Sequence, residues 1–279
     1  MGAEIVGRRI AGQYTVTRFI RNGVFASLYD ASTLGGTLVA VKLLDPSHYG
    51  EPEAKARFNR EVRAMASFNH PGSPRVIDHG TTDDGYPWVA TERFQGKLLA
   101  DAMKFGCFPA DRVQYLAAEI ALVLAAAHAH GIIHRDLAPT NILLAQVGAQ
   151  SAVVKVLDFG LAQMADSEDD DELTAAGVQI GTIEYMAPEY IQTNMLDHRA
   201  DLYSLGILMY EMLTGSPPFT GEKLAVYEGH LYTVPEAPSL KAPGTPAWLD
   251  ALVLKLLAKR PEDRPLDART VANALIRGG

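Results

Sequence analysis

The sequence predicts an α+β fold in which a small β-rich part precedes a larger, mostly helical part. Up to about residue 94, apolar and polar residues tend to alternate with the period of two that is typical of strands, as in residues 14–20. Beyond residue 98 the apolar positions follow a helical period instead, most clearly in residues 111–130. The stretch 92–96 between the two patterns contains a glycine and indicates a hinge, so we expect the two parts to meet there.

Composition and charge exclude several classes of protein. The 279 residues are 48% hydrophobic, which suffices for the core of one large domain or of two lobes. A formal net charge of −8 disfavours electrostatic binding to nucleic acid or to anionic lipid. The single cysteine, Cys107, excludes an intramolecular disulfide, and the longest apolar run, residues 120–127, is too short to span a bilayer. We therefore expect a cytoplasmic protein without a nucleic-acid partner or a membrane segment in these residues, or the cytosolic domain of a larger, membrane-anchored protein.

The β-rich part contains one unusual charge. Residues 38–44 form its most apolar strand, and Lys42 is the only charged residue within that strand. Such a lysine is either an edge-strand charge that reaches water or a buried cation that needs anionic partners. Glu61, in the middle of the helical segment, is the candidate carboxylate partner. The predicted strands are residues 14–20, 26–31, 38–44, 75–79 and 88–91, and the predicted helix is residues 53–68.

Helical patterns dominate the second part of the chain. Residues 201–213 are apolar on most sides and begin with Asp201, so we expect them to form a buried central helix. His128 and His130 are two residues apart on one predicted helix and so lie on different faces, which favours surface or core histidines over a metal site. The other predicted helices are residues 98–104, 111–130, 222–230, 246–258 and 268–277, and residues 153–157 are predicted to form a short buried strand.

A polar loop between two apolar segments carries the candidate catalytic chemistry. Residues 134–141 read His-Arg-Asp-Leu-Ala-Pro-Thr-Asn and place Asp136 five residues before Asn141. An aspartate there can orient a hydroxyl and accept its proton, and an amide oxygen can hold a divalent cation beside it. A second acid, Asp158, follows the predicted strand 153–157 and precedes Phe-Gly. Two acids and an amide are the groups that Mg²⁺-assisted phosphoryl transfer needs.

These motifs resemble those of the eukaryotic-type protein kinase family, in the form of its bacterial serine/threonine members. The motifs that carry the resemblance are Val-Ala-Val-Lys42, His-Arg-Asp136 with Asn141, Asp158-Phe-Gly and Ala-Pro-Glu189. Each motif alone has a plausible structural explanation as a surface charge, a turn or a polar loop. Their order and spacing agree with the family over almost the whole chain, which makes coincidence far less probable than for any one of them.

The resemblance implies a two-lobed, protein-kinase-like fold. A single kinase domain would occupy residues 1–279, with its core at residues 14–277. Its N-terminal lobe, residues 14–94, would be a small antiparallel β-sheet with one helix, and its C-terminal lobe, residues 95–279, would be larger and mostly α-helical.

By the same resemblance the chain is a protein serine/threonine kinase that uses ATP and Mg²⁺. Asp136 would orient and deprotonate the hydroxyl of a protein substrate, and Asn141 and Asp158 would bind Mg²⁺. Lys42, paired with Glu61, would hold the α- and β-phosphates. Thr91 corresponds to the gatekeeper position, and the backbones of Glu92 and Phe94 would meet the adenine edge. The implied nucleotide-binding residues are Ile20, Gly23, Val24, Ala26, Leu28, Ala40, Lys42, Glu61, Thr91, Glu92, Phe94, Leu143 and Asp158.

The resemblance also implies contacts that support the site. Asp201 would tie down the backbone of the catalytic loop, and Arg264 would pair with Glu189. Thr182 would form a hydrogen bond with the catalytic Asp136. Three side chains would stack between the lobes in the active state: Met65, Phe159 and His134.

The segment between Asp158 and Glu189 is the expected site of regulation. Its acidic run, residues 166–172, is most often a solvated loop in proteins. Alternatively, these acids, or phosphorylated Thr174 or Ser167, supply an anion to Arg135 and order the loop. In this alternative the chain phosphorylates itself at Thr174 or Ser167.

Two departures from the family pattern bear on activity. In the glycine-rich nucleotide loop only the central glycine, Gly23, is present, because Arg21 and Ala26 occupy the other two positions. Ala138 stands where serine/threonine members usually carry a lysine that contacts the transferred phosphoryl group. Losing that contact would slow the reaction by about one to two decades without abolishing it.

Two alternatives remain open from the sequence. The departures would also suit a pseudokinase or a slow kinase that acts as an ATP-binding scaffold or signalling module. Retention of the proton acceptor Asp136 argues against this alternative, because a binding protein does not need it. A kinase of small molecules is disfavoured by the Ala-Pro-Glu189 segment, since such enzymes generally lack this peptide-docking region.

Overall fold

The computed structural model describes residues 5–23, 26–45, 48, 51–147, 151–159, 183–193 and 196–278. These residues form two compact units, one ending at Gln95 and the other beginning at Gly96. No helix in the described ranges combines the length and the apolar composition that crossing a membrane requires.

The first unit is an antiparallel sheet accompanied by a helix. Its strands are β1 (Arg9–Ile10), β2 (Tyr14–Asn22), β3 (Ala26–Thr33), β4 (Leu38–Leu44), β5 (Val76–Thr81) and β6 (Pro87–Glu92), and its helix is α1 (Pro52–Ser67). The described strands are ordered β1-β2-β3-β4-β6-β5 across the sheet. Alternate residues of β4, namely Val39, Val41 and Leu43, enter a buried cluster that includes Tyr29 and Trp88. Because successive side chains of a strand point to opposite faces, Ala40 and Lys42 lie on the other face of the sheet.

The second unit is mostly helical. Its helices are α2 (Leu99–Met103), α3 (Ala110–Ala129), α4 (Pro188–Thr193), α5 (Arg199–Thr214), α6 (Lys223–Tyr232), α7 (Ala247–Leu256) and α8 (Ala268–Arg277). Helix α5 is buried on nearly all sides, as its apolar composition predicts. At Gly206 a Cβ atom would lie 2.8 Å from the Leu256 Cβ, so glycine is needed for the close approach of α7. Helix α5 is therefore a rigid support for the loops packed on it.

A small sheet in the second unit positions the candidate catalytic residues. Strands β7 (Gly96–Leu98), β8 (Ile142–Val147) and β9 (Ser151–Val156) pair antiparallel in the order β7-β8-β9. Ile142 pairs with Val156, and the Leu157 amide donates to the Asn141 carbonyl at 2.8 Å. Asn141 and the residues that follow β9 consequently lie at the same end of the β8–β9 pair.

The predicted α+β, two-lobed fold is confirmed, with a sheet unit and a helical unit. The clearest local difference is β7, since the sequence pattern placed a helix from residue 98 and predicted no strand before it. Gly96 lies so close to β8 that a Cβ there would approach the Leu144 carbonyl oxygen to 2.4 Å. Pairing with a strand more than forty residues away, which has no local pattern in the sequence, decides the conformation of this segment.

Candidate active site

A buried carboxylate fixes the backbone of the catalytic loop. Asp201, in the first turn of α5, is 0% exposed and accepts hydrogen bonds from the backbone amides of His134 at 2.8 Å and Arg135 at 2.9 Å. His128 Nε2 lies 2.7 Å from the same carboxylate. Burial raises the pKa of Asp201, but His128 and His134 outweigh burial, so this pKa lies below its ordinary value. The carboxylate is therefore a charged acceptor, and the predicted tie between Asp201 and the loop is confirmed.

The same tie stabilises an uncommon backbone conformation. Arg135 has a φ of 67°, in the left-handed region that residues with a side chain rarely adopt. Such a conformation persists only where the surroundings hold it, and the hydrogen bond from the Arg135 amide to Asp201 does so here. Asp201 thus fixes the backbone immediately before Asp136.

His134 links the catalytic loop to the strand that ends before Asp158. Its side chain is completely buried, and Nε2 donates to the Leu157 carbonyl at 2.8 Å while Nδ1 accepts from the Asp136 amide at 3.3 Å. Because a carbonyl can only accept, the proton of the ring lies on Nε2. The ring also meets Phe159 edge-on at a centroid distance of 4.8 Å. The predicted contact of His134 with Phe159 is thus present within the second unit.

Asp136 and Asn141 form one hydrogen-bonded pair. The Asn141 side chain is 2% exposed, and its Nδ2 donates to Asp136 Oδ2 at 2.9 Å and to the Asp136 carbonyl at 2.8 Å. Both donor positions of the amide nitrogen are thus directed at Asp136. The other carboxylate oxygen, Oδ1, accepts no hydrogen bond from any residue in the described ranges. The pair therefore holds the Asp136 carboxylate in one orientation.

Asp158 lies close to this pair because of the β8–β9 register. It follows Leu157, whose amide is bonded to Asn141, and it has a φ of 58°. Two residues with a side chain, Arg135 and Asp158, thus adopt the left-handed conformation on the two sides of the candidate site. Among the described residues, no three His, Cys, Asp or Glu side chains cluster as a metal site would require. The oxygen atoms of Asn141 and Asp158 fit a cation that takes few protein ligands, as Mg²⁺ does beside a phosphate.

In the first unit, several predicted nucleotide-binding residues share one face of the sheet. Leu28 pairs with Lys42 across β3 and β4, and Ala40 pairs with Thr91 across β4 and β6. Residues directly opposite each other in a sheet point to the same side, so these four side chains lie on the face away from the buried cluster around Tyr29. Lys42 is half-buried on this face, and β4 lies between β3 and β6 in the described sheet, so Lys42 is not an edge-strand charge.

The nucleotide loop keeps the glycine that its geometry requires. The Gly23 amide donates to the Ala26 carbonyl at 2.8 Å, and a Cβ at Gly23 would lie 2.9 Å from that oxygen. Ala26 is buried in β3, so its methyl group packs inside the sheet unit. Arg21 lies on β2 opposite Leu28, and its side chain is exposed.

Four further predicted nucleotide-binding residues are half-buried or buried. Ile20 is half-buried in β2, Leu143 is buried in β8, and Glu92 ends β6 and is followed by half-buried Phe94. The Glu92 carboxylate accepts the Arg75 backbone amide at 3.1 Å. Several predictions lie outside the described residues, namely those for Val24, Ser167, Thr174, Thr182 and the side chain of Glu61.

The segment after residue 182 is anchored by a buried ion pair. Arg264 donates from Nη1 and Nη2 to the two carboxylate oxygens of Glu189, at 2.6 and 2.7 Å. Its other N–H groups donate to the carbonyls of Ala258, Arg199 and Lys259, so all five donors are used. The predicted Glu189–Arg264 pair is confirmed, and it joins the start of α4 to the residues before α8.

A second buried group lies behind the same segment. His230 in α6 is completely buried, and its Nδ1 lies 2.9 Å from the Tyr203 hydroxyl. Burial lowers the pKa of His230 to about 4, with a smaller contribution from the nearby Lys259. The ring is therefore neutral at physiological pH. The backbone groups of Ile183 and Glu184 face it, so His230 supports the residues that precede Glu189.

The family model described as the protein kinase domain matches residues 14–275. The chain belongs to this family. It is 37% identical over 273 residues to the serine/threonine-protein kinase pkn3 of Myxococcus xanthus, a match that covers 95% of this chain and 50% of the relative. It is 38% identical over 244 residues to PknB of Mycobacterium tuberculosis, covering 86% of this chain and 38% of that relative.

Solved structures agree with this assignment. The crystal structure of the Mycobacterium tuberculosis PknI kinase domain is similar at a TM-score of 0.73 and 27% identity, over 97% of both chains. The chain is therefore a serine/threonine protein kinase domain of the bacterial type, as the motifs predicted. It spans half or less of the length of these two curated relatives.

Three polar residues of the kinase domain were not identified as site-related from the sequence. His128, expected to be a surface or core histidine, is the side-chain partner of Asp201. His230 gave no signal beyond its position in a peripheral helix. Arg93 was predicted only as one residue of the hinge, although its Nε donates to Oδ1 of the buried Asp30 at 2.6 Å. Asp30 is the only charged residue of strand β3, and this was the one signal in the sequence that could have found the last pair.

Proposed function

We propose that this kinase domain transfers the γ-phosphoryl group of Mg-ATP to a serine or threonine hydroxyl of a protein substrate. The observation that carries the proposal is the Asp136–Asn141 pair, held on a loop that is bonded to the buried Asp201. A carboxylate that is partly exposed and fixed by a neighbouring amide is suited to orient a hydroxyl. The family match supports the reaction class.

Asp136 is the proton acceptor in this proposal. Asn141 donates to Oδ2, so Oδ1 accepts the hydroxyl proton as the substrate oxygen bonds to the γ-phosphorus. The bond from that phosphorus to the β,γ-bridging oxygen breaks in the same transfer, and ADP leaves. The short path from Asp201 through the loop backbone to Asp136 keeps the carboxylate in place, because α5 is rigid. Positioning of this kind supplies most of the catalysis in phosphoryl transfer.

Asn141 and Asp158 are the groups that would hold Mg²⁺. The Asn141 amide nitrogen donates to Asp136, and its oxygen is the side-chain atom with the chemistry of a cation ligand. A Mg²⁺ ion held by these two residues would supply positive charge that offsets the negative charge of the transferred phosphoryl group. The hydrogen bond between the Leu157 amide and the Asn141 carbonyl keeps the two ligand-bearing residues together.

The nucleotide would lie against the face of the first sheet that carries Lys42. In this proposal Lys42 holds the α- and β-phosphates with Glu61 as its partner, and Leu28, Ala40 and Leu143 enclose the adenine. The lobes correspond to residues 14–94 and 95–279 of one kinase domain. The shared orientation of Leu28, Ala40 and Lys42 supports the first part of this assignment.

We also propose autophosphorylation at Thr174 or Ser167 and a cytoplasmic location for this domain. A phosphate on either residue would supply the anion that Arg135, beside the catalytic aspartate, is expected to bind. The experiment is incubation of the pure protein with Mg-ATP, with phosphate incorporation followed by radiolabel and mapped by mass spectrometry. We expect incorporation that is lost in Asp136→Asn and retained in Asp111→Asn, a matched substitution at an exposed aspartate of α3.

The outcomes distinguish the alternatives. Incorporation that persists in Asp136→Asn would show that the catalytic role of Asp136 is wrong. A thermal shift with ATP but no transfer to the chain itself or to a generic protein substrate would favour the scaffold alternative. Transfer to a protein substrate by a chain that remains wholly unmodified would remove the autophosphorylation proposal alone.

A further inference from the structure

An ionic pair of this chain joins the sheet of the first unit to the predicted hinge. Asp30, in the middle of β3, is 5% exposed, which is rare for a carboxylate unless it is paired. Its Oδ1 accepts from Arg93 Nε at 2.6 Å, and its Oδ2 accepts from Arg18 Nε at 3.0 Å and Nη2 at 2.5 Å. Each carboxylate oxygen thus has its own guanidinium.

Arg93 makes a second contact that Arg18 does not make. It lies between Glu92 and Phe94, and its Nη1 donates to the Phe94 carbonyl. The guanidinium therefore bridges a carboxylate fixed in a strand and a backbone carbonyl of the hinge. A planar guanidinium with fixed donor directions restricts the orientation of the groups at both of its ends. We call Asp30 and Arg93 together the hinge clamp.

The sheet register places the hinge clamp beside the predicted adenine site. Asp30 pairs with Ala40 across β3 and β4, and Ala40 pairs with Thr91 across β4 and β6. Asp30, Ala40 and Thr91 consequently form one row on the same face of the sheet. The next row on this face, two residues along each strand, contains Lys42. The clamp is therefore in the same row as Ala40 and Thr91, one row away from Lys42, the predicted phosphate ligand.

The charge balance keeps the clamp formed at neutral pH. Burial raises the pKa of the Asp30 carboxyl, but hydrogen bonds from Arg93 and Arg18 outweigh it, and this pKa lies below its ordinary value. The side chain of Arg93 is 26% exposed and that of Arg18 is 66% exposed. Since solvent weakens the exposed Arg18 contact more than the Arg93 contact, the pair with Arg93 dominates.

We propose that Arg93 is a positioning residue: Asp30 holds its guanidinium, and the guanidinium holds the Phe94 carbonyl. The hinge backbone at Phe94 is thereby kept in the orientation that meets the adenine edge, which sets the affinity for nucleotide. The inference rests on the proposed function, because it assumes that the hinge backbone receives the base. Loss of the clamp should weaken binding of the base without changing the transfer of the phosphoryl group. Contacts of the phosphates with Lys42, which pairs with Leu28 and not with Asp30 across the strands, should be unaffected.

The test compares Arg93→Gln with Arg18→Gln in the whole chain. Both substitutions remove one guanidinium from the same carboxylate, and only Arg93→Gln also removes the contact to the Phe94 carbonyl. We expect Arg93→Gln to raise the KM for ATP and the Kd for adenosine by about tenfold, since one charge-assisted hydrogen bond is worth roughly that factor. The kcat at saturating ATP and the inhibition by inorganic tripolyphosphate should stay unchanged. Arg18→Gln should leave all four quantities unchanged.

Asp30→Asn provides an independent test of the same clamp. It should raise the KM for ATP in the unsubstituted background and have no further effect on KM when combined with Arg93→Gln. If Asp30→Asn does not fold, the comparison of the two arginine variants still decides the matter. Thermal unfolding of each variant without nucleotide reports whether the sheet itself is intact.

The outcomes separate this inference from the proposed function. An unsubstituted protein that binds no nucleotide would overturn both. The clamp alone would be overturned if the unsubstituted protein binds ATP and Arg93→Gln has the same KM for ATP. It would also be overturned if Arg93→Gln weakens the binding of adenosine and of tripolyphosphate by the same factor. Equal effects of Arg93→Gln and Arg18→Gln would likewise overturn it, because the effect would then come from the charge of Asp30 and not from the hinge contact.

Discussion

The buried ion pair between Arg264 and Glu189 gives the sharpest prediction about stability. Arg264→Met keeps much of the side-chain volume but removes five hydrogen bonds and leaves the Glu189 carboxylate without its cation. The Arg264 side chain is 0% exposed, so water cannot replace these bonds without local opening. Breaking a buried pair on one side typically destabilises a protein by roughly 3–5 kcal/mol. For domains of this size that corresponds to a fall in thermal midpoint of about 6–20 °C.

The chain offers a matched control on the same segment. The Arg260 side chain is 72% exposed and pairs with Glu262, an exposed carboxylate. Such pairs contribute little in water, so Arg260→Met should leave the midpoint of thermal or urea unfolding unchanged. A double substitution that also changes Glu189 to Gln should destabilise less than the sum of the two single changes, because no uncompensated charge remains. Equal shifts for Arg264→Met and Arg260→Met would refute the reasoning.

Three further predictions concern other parts of the kinase domain. Because the pKa of His230 is about 4 in the fold against 6.5 ordinarily, the unfolded chain takes up this proton first. The neutral, buried His230 therefore contributes its full stabilisation above about pH 6.5, and this contribution falls by about 3 kcal/mol as the pH is lowered to 4. In His230→Gln the midpoint of urea unfolding should depend less on pH over this range, whereas His130→Gln should keep the pH dependence of the unsubstituted protein. Asp201→Asn should destabilise the protein by roughly 3–5 kcal/mol and reduce kcat. Hydrogen exchange at the Arg135 amide should become faster, and an unchanged exchange rate would contradict the anchoring role of Asp201. Ala138→Lys should raise turnover by about one to two decades without changing the affinity for ATP. If the variant has an unchanged thermal midpoint but equal or lower turnover, the unsubstituted protein does not lack a contact to the transferred phosphoryl group.

The catalytic motifs were predictable because each is a short local pattern. The loop with Asp136 and Asn141 contains its two functional groups within six residues, so chain connectivity alone keeps them close. Lys42 could be singled out because a charge within an apolar strand contradicts the local pattern. The Glu189–Arg264 pair is different, since the two residues are 75 positions apart and only the resemblance to the family suggested their contact.

The geometry that makes these groups useful was not predictable in the same way. The left-handed conformation of Arg135 has no signal in residue type, because glycine, asparagine and aspartate are the residues that usually adopt it. Asp158 belongs to one of these types, but most aspartates do not adopt this conformation, so its residue type is a weak signal. Both conformations exist because Asp201 and the β8–β9 pairing hold the backbone on both sides. Register across strands likewise decided which side chains share a face with Lys42.

The sequence by itself determined the α+β organisation, the order of the catalytic motifs and membership of a kinase family, since periodicity and short motifs are local properties. Only the tertiary structure decided that His128 is the partner of Asp201 and that Asp30 is bonded to Arg93. The first pair is 73 positions apart and the second 63, and neither spacing leaves a pattern in the chain. Such pairs form because a charge excluded from water must find a partner wherever the packed elements bring one within reach.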